Sequence, residues 1–296
     1  NILSIFIRND GNPNLAMLGL VVTSVVNIIL NYIFIFIFQW GVKGSAYATV
    51  IGTFIGIIVL LIHFLTPEKH LRLVRTKLDL PMLGNIFVIG FPSFIVEGTF
   101  AVMIIAFNIT FSRYTGETGL VAYSVVNYMH AVLIMLFIGV GVAVQPITSY
   151  YHGAKLYQRM GQIVNIGLRT GLGLGVTLFV FGLVGKGLII DMFGIAEPSI
   201  IEYASIGIVY FFAGYLFLGI NSVLVQFYQS IEKTRIATWI TLCRSLILFI
   251  PLLWIMPHLF GVNAIWLVFP VAEGLTVLII YLALKFKKIE LVPRES

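Results

Sequence analysis

Leu15-Ala-Met-Leu-Gly-Leu-Val-Val-Thr-Ser-Val-Val-Asn-Ile-Ile-Leu-Asn-Tyr-Ile-Phe-Ile-Phe-Ile-Phe38 runs for 24 residues without a charged side chain. A helix needs about 20 apolar residues to cross a hydrocarbon core. This stretch is therefore long enough to span a bilayer, and it is not alone. Similar runs follow at 44–65, 86–111, 120–146, 163–185, 203–228, 236–260 and 262–284. Those eight runs hold 196 residues but only four charged side chains: Glu97, Arg169, Arg244 and Glu273. The period-2 alternation of a membrane barrel is absent. The expected fold is all-α: a polytopic transmembrane helical bundle with eight spans.

Composition agrees. The chain is 59% hydrophobic and 10% charged, against about 25% charged for a soluble domain. The net charge of +6 does not point to nucleic acid, because the basic residues sit in short loops between runs. Counted by alternating loops, one side of the bilayer carries 13 Lys and Arg and the other 3. Basic loops stay cytoplasmic during insertion, so both ends of the chain are expected in the cytoplasm. Trp40, Tyr114, Trp254 and Tyr281 fall near run ends, where amphipathic rings favour the interface. The one cysteine, Cys243, lies inside a run, which excludes a disulfide within the chain and a Cys-based zinc site.

The opening Asn1-Ile-Leu-Ser-Ile-Phe-Ile7 reads as the last turns of a helix that begins upstream. Pro13 suits the first turn of the next helix, where its missing N–H costs nothing. Trp40-Gly-Val-Lys-Gly44 and Phe260-Gly-Val-Asn-Ala264 lie 220 residues apart, each between two apolar runs that start and end on the cytoplasmic side. Parallel repeats of this kind relate the halves of many transporters. On this reading residues 1–80 are the last two helices of an N-terminal lobe plus the inter-lobe loop. Residues 81–296 are a C-terminal six-helix lobe with a short cytoplasmic tail, and about four helices lie upstream.

Five segments follow in order: Arg8-Asn-Asp-Gly-Asn-Pro13, Asn27-Ile-Ile-Leu-Asn31, Trp40-Gly-Val-Lys-Gly-Ser-Ala46, Gly90-Phe-Pro92 and Gly139-Val-Gly-Val-Ala-Val-Gln-Pro146. The set resembles the multidrug and toxic compound extrusion (MATE) family, nearest its bacterial small-drug branch, along nearly the whole chain. The resemblance implies twelve helices in two six-helix lobes, of which these are the fifth to the twelfth. It implies export of cationic or amphipathic compounds from the cell by proton or sodium antiport through alternating access. It implies no cofactor beyond the transported ion and no enzymatic activity. The expected partners are the bilayer and those small molecules, with the chain acting as a monomer in the plasma membrane. A flippase for lipid-linked saccharides, from the same superfamily, is the alternative. Proton-coupled members place an acid on their first helix, which lies outside this chain.

Charges inside hydrocarbon are costly and mark function. Glu97 lies 12 residues beyond Asn85, ~18 Å along the helix axis and so near the midplane. Pro92, five residues earlier, removes a backbone donor, and Ala101, Ile104 and Asn108 continue the same face. Sodium-using relatives carry an acid on this helix, a few positions further along. Glu97 is therefore the candidate cation or proton coupling residue, against the plainer reading of a protonated acid bonded to a neighbouring helix. Arg244 and Glu273 sit on consecutive antiparallel helices at depths within ~5 Å, so they are expected to form a structural ion pair. Tyr123, Asn127 and His130 share a helix face. With Asn108 and Asn221 they are the candidates to line a cavity, His130 also being open to a proton-carrying or a packing role. Asn27 and Asn31 are read as interhelical hydrogen bonds. Gly171-Leu-Gly-Leu-Gly175 lacks a preceding strand, so helix packing explains it better than a phosphate loop does.

Overall fold

A computed structural model describes residues 2–65, 71, 79–286 and 289, with the side chains at 9, 85, 86, 88–93 and 95–97 outside that description. The described elements are helical, and the chain divides into two compact units, Asn1–Asp79 and Leu80–Ser296. Among the described residues six helices are long and apolar enough to cross a membrane, or seven if one bent pair counts as a single span.

In the first unit, helix α1 (Ile2–Asn9) leads into α2 (Pro13–Tyr32). Asn12 caps α2 by accepting the Leu15 N–H at 3.1 Å, with Pro13 in the first turn. A π-turn over Ile33–Ile37 extends α2, and α3 (Gly41–Leu61) packs back along it. The two helices approach closely because Gly19, Gly52 and Gly56 have no side chain: a Cβ on Gly56 would meet Thr23, and one on Gly19 would meet Leu60. Asn27 donates across the interface to Thr49 Oγ1 at 3.2 Å. Asn31 bonds back to Asn27 within α2, so only the first of these asparagines joins two helices. Asp10, just past α1, accepts from the Leu71 N–H and pairs with the buried His63 beyond α3 at 2.7 Å.

The second unit begins with α4 (Leu80–Gly153), a 74-residue helical run with one non-helical residue, Gly116 at φ 62°, ψ −142°. The gap between the apolar runs 86–111 and 120–146 predicts a loop at 112–119. The helix instead continues to both sides of Gly116, since one glycine reaches positive φ without steric cost. Thr110 and Thr115 bond back to the carbonyls of Ala106 and Phe111, holding the arm before the break. Then come α5 (Tyr157–Met192), α6 (Pro198–Phe212) and α7 (Tyr215–Ser230), the last two bent by 43°. Helix α8 (Thr234–Leu242), a π-turn (Cys243–Ile247), α9 (Phe249–Phe260), a 3-10 segment (Val262–Leu267) and α10 (Val268–Lys285) complete the unit. The two aromatic-Gly turns paired in the sequence both hold glycine at positive φ, 56° at Gly41 and 81° at Gly261.

An aromatic core joins α4, α6, α9, α10 and the 3-10 segment. Phe107 lies edge-on to Phe249 (4.8 Å between centroids), Phe111 against Trp266 (4.4 Å), and Phe211 stacks on Phe269 (4.3 Å). Helices α5 and α7 meet backbone to backbone, as the glycine run predicted. A Cβ on Gly219 would strike the Gly171 carbonyl, whereas one on Gly173 would meet nothing. Gly219→Ala should therefore cost ~1–3 kcal/mol by overpacking and lower the melting temperature in detergent. Gly173→Ala should be neutral or gain up to ~1 kcal/mol from helix propensity. Equal melting temperatures for the two variants would mean that the α5–α7 contact is looser than described.

Candidate functional site

Three consecutive membrane helices of the second unit each contribute one polar side chain to a common buried point. Asn221 on α7 is 0% exposed, Glu273 on α10 is 2% and Arg244 in the π-turn is 7%. Arg244 Nη1 lies 3.4 Å from Glu273 Oε1. Asn221 Nδ2 donates to Glu273 Oε2 at 2.7 Å and to the Glu273 backbone oxygen at 3.1 Å. Both acceptors fix the amide orientation, since the flipped amide would set oxygen against oxygen. Asn221 Oδ1 is left without a hydrogen-bond partner. The Arg244 guanidinium also lies 5.9 Å from the centroid of the Phe100 ring on α4, within cation–π range.

The π-turn explains how adjacent residues serve this point. Leu248 N–H reaches back to Cys243 O at 2.9 Å, five residues away. That extra residue in the turn lets Arg244 and Ser245 both face inward. Such single-turn insertions recur at functional sites. Buried opposite charges hold together because removing one leaves the other unpaired in low dielectric.

A second cluster surrounds His130 on α4. Its Nδ1 lies 3.2 Å from the Tyr215 hydroxyl on α7. The ring is parallel to Tyr215 (5.8 Å, 5°) and edge-on to Phe211 and Phe269. Two turns away Tyr123 donates a long bond to Asn127 Oδ1, 3.4 Å, while its ring stacks on Phe111. Tyr123, Asn127 and His130 thus share a helix face, but Tyr123 (3%) and His130 (7%) are buried within the unit. Asn221, expected on a cavity wall, is enclosed because its amide serves Glu273. Asn108 turns its amide to the Ile104 carbonyl of its own helix at 2.8 Å. Glu97 belongs to α4, but its side chain lies outside the described residues.

Arg244 and Glu273 meet as their depths in the sequence imply. Asn221, a cavity-lining candidate by sequence, joins them instead, and Phe100 and Tyr215 are not among the sequence candidates. Depth along the helices also points to Asn221 as a partner of the pair, since it sits nine residues before Ser230 at the end of α7, as Arg244 sits nine after Arg235. Among the described residues no group of three or more His, Cys, Asp or Glu is placed to hold a metal.

Known proteins align with this architecture over almost its whole length. YoeA of Bacillus subtilis strain 168, named "Probable multidrug resistance protein YoeA", is 25% identical over 290 residues, covering 93% of this chain and 62% of that protein. The multidrug export protein MepA of Staphylococcus saprophyticus is 26% identical over 289 residues, covering 95% and 63%. The chain thus spans a little under two thirds of these relatives. Among solved structures, the MATE multidrug transporter DinF-BH, solved in complex with a ligand, superposes with a TM-score of 0.82 at 27% identity, covering 96% of this chain and 64% of that one. The MatE family model matches residues 92–255, more than half of the chain, from Pro92 on α4 past the Arg244 turn into α9. This polytopic helical membrane chain belongs to the MatE (MATE) family.

Proposed function

We propose that the chain is the C-terminal part of a secondary multidrug exporter of the plasma membrane, exchanging drug for protons or sodium by alternating access. The observation that carries this reading is the likeness, at 27% identity over 96% of the chain, to a multidrug transporter solved in complex with a ligand. In this reading the protein transports and does not catalyse, needs no cofactor beyond the exchanged ion, and acts as a monomer on cationic or amphipathic compounds. Residues 1–80 complete an N-terminal lobe and residues 81–296 form the C-terminal lobe. Glu97 couples the ion. Arg244, Glu273 and Asn221 hold three helices of the C-terminal lobe together. Asn108 and Asn127, partly exposed on α4, are the groups nearest the transport path, while Tyr123 and His130 are buried within the unit.

The test uses the full-length protein in cells stripped of their own exporters. Energised cells should accumulate less ethidium than vector controls, and the difference should vanish when the ion gradients are collapsed. Accumulation equal to the control, with the protein present in the membrane, would overturn the reading.

The topology follows from the basic asymmetry, 13 residues against 3. Helix α4 then crosses twice, with Gly116 at the outer turn, and both chain ends are cytoplasmic. A cysteine at Lys155 (Lys155→Cys) should react with an impermeant maleimide only from the cytoplasm, and Glu117→Cys only from outside. Reaction of both from one side would remove the two-crossing assignment of α4.

A further inference from the structure

Outside the polar cluster, the second unit carries a groove between α8 and α10. Its volume is about 220 Å³, below the ~300–1,000 Å³ typical of drug-sized pockets. Ile236, Trp239, Ile240 and Cys243 form one wall, at the helical spacing of three and four that defines a single face. Thr276 and Ala283 on α10 mark the ends of the other. The Thr276 hydroxyl is spent on the Ala272 carbonyl at 2.8 Å, so this residue adds no free hydrogen-bonding group to the wall. From Ile236 to Cys243 the groove follows the helix axis for ~10 Å. It is long, narrow and dry.

The chemistry changes at its mouth. Arg235 stands four residues before Trp239, one turn further toward the end of α8 and on the same stripe. It is exposed, and no hydrogen bond or ion pair engages it among the described residues. Trp239, 61% exposed, lies just inside, at the level where indole rings mark a membrane interface. A hydrocarbon-shaped groove opening beside an unpaired cation matches one occupant: a chain with an anionic head.

We propose that this groove binds an acyl chain of an anionic phospholipid of the cytoplasmic leaflet, with the lipid phosphate on Arg235. The leaflet, though not the site, rests on the topology above. Such a lipid would pack between α8 and α10, the helices that flank Arg244 and carry Glu273, and so brace the polar cluster from its lipid side.

The experiment reconstitutes the full-length protein in vesicles of phosphatidylcholine doped with brominated phosphatidylglycerol or, separately, brominated phosphatidylcholine. Bromine quenches nearby indole, and the Trp239 signal is the difference between the parent and Trp239→Phe. Brominated phosphatidylglycerol should be enriched at Trp239 by about fivefold, the attraction expected of one basic residue at an anionic surface. Arg235→Gln should bring the two lipids level, and Ala283→Phe, which fills the groove, should weaken quenching by both. A second readout leaves the groove unaltered: maleimide labelling of Cys243, corrected with Cys243→Ser, should slow in phosphatidylglycerol and recover in Arg235→Gln. Equal quenching by both lipids in the parent, or undiminished quenching in Ala283→Phe, overturns the proposal. If that happens while Lys155→Cys still labels from the cytoplasm, the lipid site falls and the topology stands.

Discussion

Arg244→Ala and Glu273→Ala will each sharply destabilise the second unit, and the double variant will lose less than the two single losses combined. Truncating one member strands the other charge away from water, at a cost of ~3–5 kcal/mol. The double variant strands neither. The 3.4 Å separation of Nη1 and Oε1 and the burial of both side chains place this pair well above a surface ion pair, worth ~0–1 kcal/mol. Asn221 adds an asymmetry. It donates at 2.7 Å to the other carboxylate oxygen, so Glu273 keeps one partner when Arg244 is lost, while among the described residues Arg244 keeps only the Phe100 ring when Glu273 is lost. Glu273→Gln should fall between Glu273→Ala and the parent, since it preserves shape and offers an oxygen to Asn221. Unfolding in mild detergent, followed by folded yield and melting temperature, measures the cycle. Strictly additive losses would mean that the charges do not couple, and the pair would drop out of the stability of this unit.

The distribution of apolar length made the helical membrane fold legible. A residue count was enough to say that the chain is a bundle of apolar membrane helices, though eight runs in sequence stand against six or seven such helices among the described residues. Four intramembrane charges were enough to say which two should meet. The finer chemistry was less legible, for identifiable reasons. Asn221 carries no charge, so a search for costly ions passes over it, although a buried amide needs partners as much as an ion does. The π-turn at Cys243–Ile247 has no sequence signature, and it is what brings Arg244 and Ser245 inward together. The segment 112–119, with Arg113, Glu117 and two threonines, has the composition of a loop. Its backbone nevertheless stays helical up to and beyond Gly116, and the Thr115 hydroxyl meets its need locally on the Phe111 carbonyl. The amide of Asn108 meets its need in the same local way, and spacing alone does not separate that outcome from a cavity-facing one. His130 shows the reverse case. It lies on the α4 face expected from spacing, yet its aromatic surroundings come from α6, α7 and α10, far away in sequence.

Glu97→Gln will insert and fold like the parent, and the full-length protein carrying it will lose gradient-driven efflux. The expectation rests on position. The residue lies 12 beyond Asn85, ~18 Å along the axis and near the middle of a bilayer. The backbone of α4 stays helical from Leu80 to the break at Gly116, so that depth is set by a continuous helix. Arg244 already has Glu273 beside it. An acid held by its own counter-charge serves best as a fixed brace, so the proposed coupling role is tested at Glu97 and not at Glu273. Glutamine keeps the shape and the hydrogen-bonding capacity of glutamate and removes its charge and its titration. If Glu97 exchanges a proton or sodium, the variant should still bind a fluorescent cation in detergent. It should export ethidium no faster than vector controls. The measurement is efflux from energised cells or vesicles, normalised to protein in the membrane. Parental efflux in Glu97→Gln would assign coupling to helices upstream of this chain and leave Glu97 a packing acid. Loss of efflux together with loss of folded protein would also count against the coupling role, because a purely exchanging carboxylate tolerates its amide.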